Sequence, residues 1–371
     1  MKSEKSVAVV FGTRPEAIKM APVIKALQRT PGVRPILIST GQHRQMMAPI
    51  LDFFEIKLDY DLDLMTERQT LNSLFSNALS GLGNVFADSE LRRVLVQGDT
   101  TTAAAAALAA FHLGIPVGHV EAGLRTNDLK EPWPEEMNRR LIDMVSDQLY
   151  APTDRSAQHL RLENIDDRRI FVTGNTVIDA LFAALGRIEG PLAAKYAAQF
   201  SFIPRDKRLV LVTGHRRESF GEGFEQICKA LKLIAERDDV HVLYPLHMNP
   251  NVREPVNRML GRDPRISLIE PVGYPEFIYL MKRAVLILTD SGGVQEEAPS
   301  LGKQVLVMRN VTERPEAVET GCVEVVGVVG DDIFARATHH LNDPGLGKSR
   351  QIKSPYGDGR AAERIAQEVL R

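Results

Sequence analysis

The sequence predicts an α/β protein made of two doubly wound, Rossmann-like parallel-sheet domains. Three observations predict it. The chain has 371 residues, more than a single hydrophobic core usually supports, so two domains are expected. Short continuous apolar runs recur along it, each followed by a helix-period pattern, as strands buried on both faces of a parallel sheet do. Polar and ionisable residues gather just past the C-terminal ends of those runs, where open α/β sheets carry their chemistry.

The elements follow in order. Residues 7–11 form the first buried strand. Gly12-Thr13-Arg14-Pro15-Glu16 then turns into a helix whose apolar face is Ala17, Ile18, Met20, Val23, Ile24 and Leu27, with Pro15 suited to its first turn. Arg14, Lys19 and that helix end could hold an anion; the same residues also read as a plain βα turn with solvated charges. Residues 34–39 form the second strand, which exits on Thr40-Gly41-Gln42-His43-Arg44-Gln45. A helix over 71–86 precedes a strand over 92–99 that ends on Asp99, and threonines 100–102 open an alanine-rich helix. Asp99 reads either as a functional carboxylate or as a helix cap. Strands over 115–120, 147–152 and 169–174 complete the series.

Periodicity lapses at 186–191, which marks a hinge between a first domain over 1–185 and a second over 186–358. The second series has strands over 208–213, 240–247, 266–269, 284–289 and 304–308. An amphipathic helix over 359–371 could cross back to the first domain.

The densest chemistry follows the strand at 115–120. Between Glu121 and Glu136 lie five acidic residues, with Arg125, Arg139 and Arg140 close by. Asp99, Glu121 and Glu135 are thereby expected at one sheet edge. A solvated acidic loop before a surface helix is the alternative. In the second domain, Asp290-Ser291-Gly292-Gly293 lies between a strand and a helix, a place suited to a phosphate, and Glu297 one turn on could accept ribose hydroxyls. A glycine turn with a dipole-stabilised acid is the alternative there. Phe277, expected on a loop, could stack a base, and Arg314 could pair with a phosphate or simply be solvated.

Composition excludes several classes. A net charge of −2 gives no footprint for nucleic acid or anionic membrane. The two cysteines, Cys228 and Cys322, form neither a disulfide framework nor a metal spacing and suit buried positions in a cytoplasmic protein. The N-terminal residues do not form a signal peptide, and no apolar run reaches membrane-spanning length. There is no G-x-G-x-x-G after the first strand and no P-loop motif. No metal and no cofactor are expected.

Six motifs, over 12–22, 97–100, 119–125, 134–139, 213–218 and 290–297, occur in order along nearly the whole chain. Together they resemble the non-hydrolysing UDP-N-acetylglucosamine 2-epimerases. The resemblance implies a glycosyltransferase-B-like fold whose two domains face a cleft that holds the ligand and closes over it. It implies reversible interconversion of UDP-N-acetylglucosamine and UDP-N-acetylmannosamine by a cytoplasmic homodimer that supplies cell-surface polysaccharide precursors. By position, Asp99, Glu121 and Glu135 match the catalytic carboxylates and His215 a histidine beside the pyrophosphate. Arg14 and Lys19 match phosphate- and sugar-side residues; Phe277, Ser291, Gly292, Gly293, Glu297 and Arg314 match nucleotide contacts. Gln42, Gln45, Arg68, Arg216 and His247 resemble an allosteric site for UDP-N-acetylglucosamine as activator. Val272 departs from members that carry glutamine for the uracil edge.

The chemistry expected is elimination of UDP to 2-acetamidoglucal and re-addition, since the C2 proton has no adjacent carbonyl to acidify it. Asp99 and Glu121 are the expected proton-transfer pair, with Glu135 as relay or oxocarbenium stabiliser. The competing readings are an epimerase of a modified sugar such as a uronic acid derivative, a hydrolysing epimerase, a glycosyltransferase of the same fold, and a non-catalytic nucleotide-sugar sensor.

Overall fold

The computed structural model describes residues 4–65, 69–216, 220–312, 314–347 and 354–371. The chain divides into two compact units, Met1–Phe182 with Tyr356–Arg371, and Ala183–Pro355. In chain order the first unit holds β1 (Lys5–Phe11), α1 (Arg14–Arg29), β2 (Val33–Ser39), α2 (Arg44–Phe53), β3 (Tyr60–Asp61), α3 (Leu71–Ala87), β4 (Leu91–Gln97), α4 (Thr101–His112), β5 (Val117–Val120), α5 (Glu135–Val145), β6 (Gln148–Ala151), α6 (Asp154–Leu162) and β7 (Ile170–Val172). Helix α7 (Thr176–Glu189) runs through the point of division. The second unit continues with α8 (Ala193–Gln199), β8 (Arg208–Thr213), α9 (Glu222–Ala235), β9 (Val240–Pro245), α10 (Pro250–Leu260), β10 (Ile266–Ile269), α11 (Tyr274–Arg283), β11 (Leu286–Thr289), α12 (Gly292–Ser300), β12 (Gln304–Val307), α13 (Pro315–Glu319), β13 (Val323–Val325) and α14 (Gly330–Leu341). Helix α15 (Ala361–Glu368) belongs to the first unit and packs on α1.

Both sheets are parallel throughout. The first has seven strands in the order β3-β2-β1-β4-β5-β6-β7, the second six in the order β10-β9-β8-β11-β12-β13. Each winds outward from its first strand in both directions, so each has one switch point, between β1 and β4 and between β8 and β11. Register decides what meets there. Gln97 pairs with Val120, which sets Gly98-Asp99 beside Glu121; Thr213 pairs with Thr289, which sets His215 beside Asp290.

The alanines of α4 explain how the first sheet is covered. Ala103 to Ala107 and Ala110 are fully buried against α3 and the strands beneath, where larger side chains would hold the helix off. The second unit has a broader aliphatic core built on Phe224, Leu231, Tyr244, Leu286 and Leu306. Cys228 and Cys322 are free and buried, and burial pushes the Cys228 thiol up to about 12. No helix among the described residues is long and apolar enough to cross a membrane.

Two expectations need correction. The residues read as a hinge at 186–191 are partly helical, because α7 continues through Gly186 to Glu189. Glycine lowers helix propensity by only about 1 kcal/mol, and buried Ala184, Leu185 and Ile188 outweigh it. Phe277 is not on a loop; it lies in the first turn of α11, half-buried.

Candidate active site

Glu121 is the anchor of the first sheet edge. It is buried and sits at φ +72°, a left-handed conformation rare for a non-glycine residue and a mark of a position held by its surroundings. Lys19 of α1 spans both carboxylate oxygens, at 2.6 Å and 2.7 Å. The Gln97 amide donates to Oε2, and Asn175 Nδ2 donates to Oε1 at 2.8 Å. Gly98, at φ +69°, comes so near that a Cβ there would lie 3.7 Å from Glu121 Oε2.

Asp99 follows Gly98 and is held by Arg139, whose Nε and Nη2 both reach Oδ2, the first at 3.0 Å. Asn138 donates to the Asp99 carbonyl at 2.9 Å, so the start of α5 is seated on this loop. Glu135 is the first residue of α5, one turn before Arg139 on the same face. Its Oε2 is buried and takes no hydrogen bond among the described residues. Glu136 next to it is fully satisfied: it accepts from the amides of Thr126 and Asn127 and from Arg139 and Arg140. Burial would raise its pKa, but those donors and cations prevail and bring it below the usual carboxylate range.

Beneath this edge runs a buried polar chain. His119 Nε2 lies 2.7 Å from the Gly98 carbonyl and Nδ1 2.6 Å from Asp143. Asp143 also accepts from Gly123 N and pairs with Arg125 at 2.8 Å, and Arg125 forks onto Glu163. Burial raises the Asp143 pKa, yet His119 and Arg125 overcome it and hold the group below its ordinary value.

The Gly12–Glu16 turn behaves differently from its reading as an anion site. Thr13 and Glu16 form a capping box: Glu16 accepts from Gly12 N and Thr13 N and, across the switch point, from Thr100 Oγ1 at 2.7 Å. The helix end is therefore occupied by the chain's own carboxylate, whose pKa burial raises. Arg14 remains exposed there, and with burial its charge lowers the pKa of His43. Lys19 faces Glu121.

The second sheet edge collects His215, His247 and the start of α12. Asp290 Oδ2 accepts from the amides of His215 and Arg216 at 2.6 Å and 2.7 Å. His215 Nδ1 lies 3.2 Å from Oδ1, within ion-pair reach but off axis for a hydrogen bond. Burial raises the Asp290 pKa; His215 and the two amides outweigh it and leave the group depressed. His247 stacks on His215 with centroids 5.4 Å apart, and burial followed by His215 lowers its pKa. The side chain of the N-cap Ser291 makes no capping hydrogen bond, and a helix start at Ser291, Gly292 and Gly293 is suited to an anion. Arg314 sits beside it, 3.9 Å from where a Gly292 Cβ would be, and pairs with buried Glu296 rather than being solvated. Glu297 is buried and accepts from Tyr274 at 2.8 Å, which together with burial drives the tyrosine's pKa well up.

Of the residues read as an allosteric site, Gln42 accepts from Thr102 at 3.1 Å and Gln45 is exposed on α2, in the first unit. In the second unit the Arg216 amide donates to Asp290, and His247 stacks on His215. Arg68 lies outside the described residues.

Sequence reading missed Gln97, Arg139 and Asn175, the partners of the carboxylates, and Asp290 and Tyr274, the partners of His215 and Glu297, as site residues. Only Asp290, Arg139 and Gln97 carried a signal, since each stood inside a motif. Asn175 and Tyr274 meet their partners across 54 and 23 residues, which no local pattern reveals.

The profile of the family described as UDP-N-acetylglucosamine 2-epimerase matches residues 25–370. The UDP-N-acetylglucosamine 2-epimerase of Salmonella typhimurium is 52% identical over 367 residues, 98% of each chain. That of Escherichia coli K12 is 51% identical with the same coverage. The crystal structure of UDP-GlcNAc 2-epimerase from Neisseria meningitidis bound to UDP-GlcNAc superposes with a TM-score of 0.90 at 46% identity, covering 98% of this chain and 99% of that one.

Proposed function

Because the chain belongs to the UDP-N-acetylglucosamine 2-epimerase family, whose members are isomerases, we propose that it interconverts UDP-N-acetylglucosamine and UDP-N-acetylmannosamine by eliminating UDP and adding it back. The observation that carries this reading is the sheet edge where Asp99 and Glu121 end adjacent strands with Glu135 at the next helix start. As the C2–H bond breaks toward a carboxylate, its electrons form the C1=C2 bond and the C1–O pair leaves with UDP. The product, 2-acetamidoglucal, takes a proton on its other face, and UDP returns to C1. Such a route needs one carboxylate on each face of C2 and a cationic cradle for the leaving diphosphate.

Glu121 and Asp99 serve the two faces. Each is paired with a cation, Lys19 or Arg139. One of the pair must nevertheless carry a proton at the start of each turnover. Glu135, with its bare buried oxygen, is the place from which that proton is relayed. Arg14, Arg314, His215 and the start of α12 stabilise the leaving UDP, Glu297 accepts ribose hydroxyls, Phe277 stacks the uracil and Lys19 lies on the sugar side. Gln42, Gln45, Arg68, Arg216 and His247 bind UDP-N-acetylglucosamine as activator of a cytoplasmic homodimer. No cofactor takes part.

Proton NMR of the protein with UDP-N-acetylglucosamine in D2O tests this. Deuterium at C2 in a stable mixture of the two epimers is expected. Accumulation of free UDP and N-acetylmannosamine would replace the reading with hydrolysis, and no change would point to a modified sugar or a transferase acceptor.

A further inference from the structure

Lys19, Gln97 and Asn175 donate to the Glu121 carboxylate, and they are not equivalent. Lys19 is a point charge on a flexible stem and bridges both oxygens. The two amides are directional and divide the oxygens between them, Asn175 on Oε1 and Gln97 on Oε2. A carboxylate pinned at each oxygen from a different element has its plane fixed. Glu135, by contrast, has an oxygen that no described residue donates to.

Asn175 is fixed more firmly than an ordinary loop amide. Its Oδ1 accepts from Val177 N at 3.0 Å, so the atom facing Glu121 must be the donor Nδ2 and the amide cannot turn over. Its own N–H donates to the Tyr356 carbonyl at 2.7 Å. Gly174, at φ +93°, packs so closely on Tyr356 and Gly357 that a Cβ there would come within 3.3 Å of both. Arg364 of α15 donates to the Thr173 carbonyl, and Asp179 caps α15 through the amides of Ala361 and Ala362. The returning C-terminal segment is thus fastened on both sides of the residue that holds Glu121.

Resting on the epimerase reading, we infer that Asn175, paired with Gln97 and braced by the C-terminal segment, is a positioning residue: it aims Glu121 at one face of C2. It touches no substrate and moves no proton. Its loss therefore harms the half-reaction on Glu121's face and spares the half-reaction run by the opposite carboxylate. A structural defect would slow both.

Asn175→Asp is the informative variant. It keeps the acceptor for Val177 N and the fold around it, and replaces the donor to Glu121 by a second carboxylate. Loss of C2–H into D2O is followed by NMR, starting separately from each epimer, with UDP affinity as the control for folding. Exchange from one epimer should fall by about tenfold or more, as misaimed catalytic groups do, while the other stays within about threefold. Asn175→Ser, which still caps Val177 but is too short to reach Glu121, should give the same one-sided loss, and Gln97→Glu should match it from the other oxygen. Equal slowing from both epimers, or no slowing, overturns the inference. Wild-type protein that exchanges neither epimer would instead remove the epimerase reading itself.

Discussion

The two sheets share one winding and meet their chemistry in opposite ways. In the first, α1 starts at the switch point behind a turn whose Gly12 and Thr13 amides are taken by Glu16, and the edge beyond it is packed with carboxylates matched to Lys19, Arg139, Arg125 and Arg140. In the second, α12 starts on the other side of the switch point, after β11, with no capping bond from its N-cap Ser291, with glycines and Arg314 beside it and one depressed carboxylate, Asp290, turned inward to hold amides. One end satisfies its own charges; the other offers an anion a helix start. The difference teaches that strand order chooses where function sits, while caps and counter-charges choose what it is. The first edge suits proton transfer and the second suits an anion.

The largest expected effect separates those two capacities. Asp99→Asn, Glu121→Gln and Glu135→Gln should each lower kcat by about a thousandfold, the scale of general acid–base catalysis. UDP affinity, measured by calorimetry, should stay within about threefold. A carboxylate variant that loses UDP as well would break the comparison, because the carboxylates of the first edge would then hold the nucleotide too.

Next in size is the buried chain under the first edge. Asp143→Asn leaves His119 and Arg125 without their shared counter-charge and should destabilise the protein by about 3 kcal/mol in denaturant unfolding, the cost of breaking a buried ion pair. A loss under about 1 kcal/mol would mean that Glu163 alone satisfies Arg125. In the second unit, Arg314→Ala should weaken UDP binding by about tenfold or more, a charge-assisted hydrogen bond being worth roughly 1.5–3 kcal/mol. Unchanged affinity would show that Arg314 serves only Glu296.

Much of this division was legible in the sequence, and the physics says why. Doubly buried strands announce themselves as apolar runs, so β1, β2, β4, β8 and β11 were readable to within a few residues. The edge strands β3 and β13, of two and three residues, have no run to announce. Asp99 and Glu121 stood out because ionisable groups at strand ends are costly without a purpose, and Glu135 because it opens the next helix pattern. What stayed hidden was pairing. That Glu16 closes its own helix, that Arg314 faces Glu296, and that Asn175 reaches Glu121 depend on side chains meeting across the fold, and no spacing encodes them.

The smallest effect sharpens the comparison through pH. Asp179 caps α15 in the first unit, and a helix start favours an ionised cap. Burial costs more than the cap returns, however, and lifts its pKa to about 6, with Asp358 adding to the rise. A carboxylate raised in the folded state stabilises when protonated. Its contribution is full below the unfolded value near 4 and is lost as pH climbs through about 6. Asp290 in the second unit is depressed, so its contribution is present above about 4 and is lost only as pH falls below that. The two units should therefore respond to pH in opposite senses at these carboxylates. Asp179→Asn keeps one of the two accepting oxygens and loses the titration, so its stability relative to wild type should rise by about 1–2 kcal/mol between pH 4 and pH 7.5 in paired unfolding curves. A relative stability that falls over that range would show that the cap's charge outweighs its burial. The first unit would then hold Asp179 as the second holds Asp290, and the contrast would rest on the catalytic edge alone.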